Sequence, residues 1–140
     1  MFRKTRAKTA DGIVRAWVKA LRSGDYRQGK GVLRNNDFIT PQYCCLGVLN
    51  KITGETVSPA MGYLEYHSNT RNPLTRIFPE EIIPWLFKQR EHAMGDKYGT
   101  EYSLLPNSLQ VELASMNDKH SSFCEIADVI ESSWENFKNA

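Results

Sequence analysis

The chain has 140 residues, 41% of them hydrophobic and 24% charged, with three cysteines. That length predicts one domain whose core needs no disulfide or metal, and the composition excludes a largely disordered chain, a disulfide scaffold and a membrane-spanning run. The net charge of +2 hides a polarity: residues 1–34 hold ten Lys/Arg against two Asp/Glu, and residues 35–140 hold eight against fourteen. A basic end of this kind is expected to meet something anionic.

Residues 1–8 are basic and polar and lack an apolar segment, so a loose start or an early helical turn is expected rather than a signal peptide. Residues 9–23 read as a helix, because Ile13, Val14, Trp17 and Leu21 recur on one face. Thr9 suits the N-cap, Asp11 the first turn, and Gly24 the left-handed stop. Residues 24–39 read as a basic loop with glycines at 24, 29 and 31. Thr40-Pro41 reads as a helix start, and the helix is expected over about 41–51, apolar on most sides. Gly47 inside it would let another element pack closely.

Residues 55–78 read as a two-stranded hairpin around the tip HSNTRNP. Pro79 or Pro84 then opens a turn and a short helix carrying Ile82, Ile83, Trp85, Leu86 and Phe87. Residues 95–105 are expected to be irregular, with one strand at 102–105. Residues 108–116 predict a helix ended by a turn at Asn117-Asp118. Ser122 and Glu125 form a capping box for a last helix that buries Phe123, Ile126, Ala127, Ile130, Trp134 and Phe137.

The chemistry is concentrated in the basic loop. Arg22, Lys30 and Arg34 can hold phosphate, and Gly29 and Gly31 can bring backbone N–H groups up to it. Tyr26 can stack on a base, and Gln28 or Asn117 can read polar edges. A Walker loop is absent. Cys44 and Cys45 fall in the first turn of a predicted helix, where the dipole lowers a thiol's pKa, but a buried core pair is the stronger expectation. Zinc spacing is lacking, and no metal or cofactor is expected. His120-Ser121-Ser122 fits an H-x-[ST] pattern for phosphodiester chemistry, yet it sits in a turn rather than on a strand. The stretch from Leu113 to Ile130 mimics half of a helix-turn-helix but lacks a recognition helix and is acidic, so sequence-specific DNA binding is not expected.

Three stretches carry a resemblance: Trp17-x3-Leu21-Arg22-Ser23-Gly24-x-Tyr26-x-Gln28-Gly29, then Tyr43-Cys44-Cys45-Leu46-Gly47-Val48-Leu49, then Asn117-Asp118 followed by Ser122-Phe123-x2-Ile126-Ala127-Asp128-x-Ile130-Glu131. They resemble an uncharacterised family of small proteins encoded by tailed bacteriophages and prophages. The likeness covers both ends and little of 55–105. Lys119-His120 stands where many such proteins carry a glycine turn. Asn50-Lys51 stands where they often carry a cysteine and an aspartate, which argues against a metal role for the cysteines. The resemblance implies an accessory protein of host takeover or counter-defence, acting in the host bacterial cytoplasm and working by binding rather than catalysis.

The expectation is therefore an α+β single domain over residues 1–140, with four to five helices and a small antiparallel sheet or hairpin from the middle segment. The leading function is non-catalytic binding of a nucleotide or nucleotide-derived signal. The alternatives are a protein–protein inhibitor of a host enzyme and a hydrolase using Cys44 or a histidine. No membrane partner is expected, and a homo-oligomer could join the basic end to the acidic remainder.

Overall fold

The computed structural model describes residues 5–31, 33–35, 40–53, 78–87 and 108–140. The hairpin expected over 55–78 and the strand expected at 102–105 lie outside the described residues, apart from buried Phe78.

Helix α1 (Ala10–Arg22) begins where local chemistry says it must: the Thr9 hydroxyl accepts from Gly12 N at 3.1 Å. It ends at Ser23, and Gly24 takes a φ of +82°, which a residue with a Cβ would adopt only under strain. Its apolar face of Ile13, Val14, Trp17, Val18 and Leu21 is buried, and each such large side chain contributes about 1.5–3 kcal/mol. Ahead of it, Thr5 N donates to Ile52 O at 2.7 Å, so the lead-in from Thr5 is tied to the core.

The stretch expected to be one loop holds three two-residue strands. They are β1 (Arg27–Gln28), β2 (Arg34–Asn35) and β3 (Gln42–Tyr43), in the order β1-β3-β2. β1 runs parallel to β3, and β2 runs antiparallel to it. The small sheet is therefore mixed, and it is built from the basic segment. Because Gln42 and Tyr43 complete it, Thr40-Pro41 does not open a helix; α2 (Cys45–Thr53) starts four residues later than Pro41. Gly47 does what its position in the sequence predicts. A Cβ there would overlap the Leu33 carbonyl, so the chain leading into β2 lies directly on α2.

A 3₁₀ turn (Glu80–Ile82) and α3 (Ile83–Leu86) follow, with Pro84 near the start of α3, where its missing N–H costs nothing. Helix α4 (Leu109–Asp118) is capped by Ser108, and α5 (Phe123–Lys138) by the full capping box of Ser122 and Glu125. Asn117 and Asp118 are the last two residues of α4 rather than a turn. Among the described residues no helix is long and apolar enough to cross a membrane.

The three tryptophans join α1, α3 and α5. Trp17 meets Trp85 edge-on at 6.3 Å, and Trp85 meets Trp134 edge-on at 5.3 Å. Each indole N–H has an acceptor: Cys45 O for Trp17, Ser133 Oγ for Trp85 and Asp11 Oδ1 for Trp134. Asp11 also receives Lys138 at 2.9 Å and Arg15 at 2.6 Å. These three donors, Trp134 foremost, hold its carboxyl well below the usual carboxylate range. At the other end of α1, Arg22 binds Asp128 at 2.6 Å and Glu131 at 3.1 Å on α5.

Two outcomes are expected. Gly47→Ala destabilises the fold by about 1–3 kcal/mol, read as a lower urea midpoint, because the obstacle is main chain that cannot rotate away. Asp11→Asn tests the anchor between α1 and α5. A carboxyl whose folded pKa is depressed stabilises above its unfolded pKa of about 4, and that stability is lost as pH falls toward the folded value. The Tm of Asp11→Asn should therefore lie below wild type at pH 7, and the gap should close as pH falls below about 4.

Candidate loop and sheet site

Asn117 organises the basic loop. It is fully buried at the end of α4. Its Oδ1 accepts from Cys45 N at 3.1 Å and from Gln28 Nε2 at 2.9 Å, and its Nδ2 donates to Gly29 O at 2.7 Å. One amide thus caps α2 and clamps the strand that leads into the loop. It explains why α2 starts at Cys45 with no local cap: the cap comes from 72 residues away. Both ends of the Asn117 amide, expected to read a ligand's edge, are engaged within the chain. Gln28 is engaged likewise, donating its second hydrogen to Ser121 O at 2.8 Å.

The glycines are placed as an anion cradle would place them, but the chain supplies the anion. Gly31 adopts φ +81°, and its N–H donates to the Asp118 carboxylate at 3.0 Å. Gly29 N donates to Tyr43 O at 2.7 Å, and a side chain at Gly29 would collide with Gln42. Lys30 Nζ approaches Nδ1 of His120 at 2.8 Å, a contact in which the lysine is the donor. His120 carries φ +78°, a conformation that costs a non-glycine residue about 1 kcal/mol or more and fits the turn where a glycine would sit freely.

Tyr26 is buried edge-on against Tyr43 at 5.4 Å, and burial pushes its hydroxyl up to about 12. Its ring, expected to stack on a base, is packed into the core. Arg22 points away from the loop to α5. Arg34 differs from all of these. Strand register sets Gln28, Tyr43 and Arg34 side by side in one row on one face of the sheet. Arg34 is half-buried, and its Nε is enclosed with no hydrogen-bond partner among the described residues.

Residues 10–134 match a protein family described as a domain of unknown function, DUF8296. The chain belongs to that family. The DUF8296 segment takes in the whole sheet, the loop, Asn117 and Arg34. No curated protein and no solved structure matches the chain. Function must therefore be argued from the side chains.

The cysteines are quiet. Cys44 and Cys45 are buried, and desolvation pushes the Cys44 thiol up to about 11 and Cys45 well above its ordinary value, outweighing the helix-start effect expected from sequence. Neither is a thiolate near neutral pH. His120 is turned to Lys30, and His67 and His92 lie outside the described residues. Among the described residues no group of three or more His, Cys, Asp or Glu is placed to hold a metal ion.

The sequence pointed to Gln28, Gly29, Lys30 and Gly31 as neighbours, and the structure brings them together with Asn117. It missed Asp118, His120 and Ser121 as their partners. The only signal for these was the acidic excess of the later chain, which gives no pairing by itself. Asn117→Ala would leave the Cys45 N–H and the Gly29 carbonyl without their Asn117 partner, and Gln28 with Ser121 O alone, costing about 3 kcal/mol at 1–3 kcal/mol per buried group after partial relaxation. Thiol labelling reads the same change. In wild type exposed Cys124 labels quickly and the buried pair only on unfolding, whereas in the variant Cys44 and Cys45 label faster at neutral pH.

Proposed function

We propose that this chain is a non-catalytic binding protein that takes an anionic group, such as the phosphate of a nucleotide or nucleotide-derived signal, at Arg34. One observation carries the reading. Of the cations singled out in and beside the loop, Arg22 is held by two carboxylates and Lys30 by His120, while the buried Arg34 Nε has no partner among the described residues. A guanidinium nitrogen left enclosed and unpaired costs the folded chain free energy, and an oxygen acceptor would remove that cost.

The phosphate end fits better than a base. Tyr26 and Tyr43 pack against each other in the core, so stacking has no described platform, whereas a charge-assisted hydrogen bond has its donor. The absence of catalysis in this proposal is supported by the protonated, buried state of both cysteines. The setting is the one implied by the motif resemblance: a phage-encoded accessory protein that sequesters a host signal in the bacterial cytoplasm.

Arg34→Gln tests the proposal with two readouts of opposite sign. Without ligand the variant should be as stable as wild type or slightly more stable, because it removes an unpaired buried charge. With GTP, ATP or inorganic pyrophosphate as probes, wild type should show a Tm increase and release phosphorylated material on heating, detected by mass spectrometry. Arg34→Gln should bind those probes about 10–100-fold more weakly, the loss of one charge-assisted hydrogen bond. If wild type takes up none of the probes and releases no phosphorylated compound, the reading fails.

A further inference from the structure

A second surface lies between α1 and α5, away from the sheet row. The two helices are antiparallel: Asp11 at the start of α1 meets Trp134 and Lys138 near the end of α5, and Arg22 at the end of α1 meets Asp128 and Glu131. Between them runs an open groove of about 1030 Å³, floored by Val14, Val18 and Trp134.

Its walls carry opposite charge. The α1 wall presents Arg15, Lys19 and Arg22; the α5 wall presents Asp128, Glu131 and Glu135. Asp11 and Lys138 close one end by pairing with each other, and Lys138 also holds Glu135 at 3.0 Å. Neutralisation within the chain is incomplete. Arg22 alone faces two carboxylates, which leaves one negative charge in excess on the α5 wall. Lys19 is exposed and, among the described residues, carries no ion pair or hydrogen bond, which leaves one positive charge in excess on the α1 wall. Along the groove Lys19 lies three residues, less than one helical turn, from Arg22 and eight from Asp11, so it falls nearer the level of Arg22, Asp128 and Glu131 than that of Asp11 and Lys138.

We infer that a second copy of this chain docks on this face, with a two-fold axis running along the groove. Two identical grooved faces can meet about a two-fold axis along the groove or across it. An axis across the groove stacks α1 on α1 and sets like charges opposite each other. An axis along it lays each α1 over the partner's α5, so that Lys19 of one protomer faces the acidic wall of the other, twice over. The surface is therefore complementary to itself in one arrangement and repulsive in the other.

Size sets the expected strength. Thirteen residues of α1 rise about 20 Å, and two helices side by side span about 20 Å. The face is therefore about 400 Å² in projection, below the ~800 Å² per partner of a standard interface, so the association should be weak, salt-sensitive and micromolar.

Sedimentation velocity over a concentration series in low salt tests this, with Lys19→Glu, Asp128→Lys (which leaves Glu131 to hold Arg22) and the double variant. Both positions are exposed, so the fold should survive, and circular dichroism checks it. Wild type should dimerise reversibly and weaken about tenfold or more between low salt and ~0.5 M salt. Each single reversal should weaken the dimer about tenfold, and the double reversal should restore it to within about threefold, because it exchanges the two signs across the same axis. A monomer at every concentration overturns the inference. So does a dimer that ignores the single reversals, or a double variant no better than the singles, as when a different face is used.

Discussion

The buried amide of Asn117 is the constraint on which the rest of this structure depends. It ties the end of α4 to β1, to the loop beyond it and to the first N–H of α2. A helix start with no cap of its own and a strand only two residues long are each weak alone. Joined through one satisfied amide they support each other, and the close approach of Leu33 to Gly47 locks the next segment on the same helix. The small mixed sheet persists because it is fastened to helices at several points, since two-residue strands offer little ladder energy of their own.

The parts of the fold governed by local chemistry were legible in the sequence. Thr9, Gly24 and the Ser122–Glu125 box each act within a few residues, so the ends of α1 and the start of α5 follow from reading the chain. Gly47 was legible as a place of close approach, though not what would approach. Thr40-Pro41 misled because a local cap competed with a distant one: Gln42 and Tyr43 gain ladder partners in β1 and β2, and Asn117 supplies the cap four residues on. Strands this short show no alternation to detect, so the basic segment read as a loop.

The candidate site divides in the same way. Glycines, cations and a tyrosine in sequence describe an anion pocket, yet residue types do not reveal whether the anion belongs to the chain. Asp128 with Glu131 on Arg22, and Asp118 on the Gly31 N–H, show that part of the basic segment is answered from within. The polarity that looked like a recruitment signal is in part a folding device, drawing the first helix and loop onto the acidic C-terminal helices. Recognition must then rest on the cations this pairing leaves over rather than on the size of the basic patch.

Two such cations stand out, and they differ in a way that separates their roles. Arg34 is half-buried with its Nε enclosed, so a hydrogen bond from that nitrogen to an anion is strengthened by poor solvation. Lys19 is exposed on a helix wall, where a single ion pair is weak and gains effect only when repeated by symmetry and backed by an apolar floor. An enclosed charge selects a ligand, whereas a solvated one mainly steers and orients a surface. The two sites also lie on different elements, one on the sheet row and one on the α1–α5 face. Reversing Lys19 should therefore leave Arg34's anion binding intact, and neutralising Arg34 should leave self-association intact. That independence lets each be measured without the other.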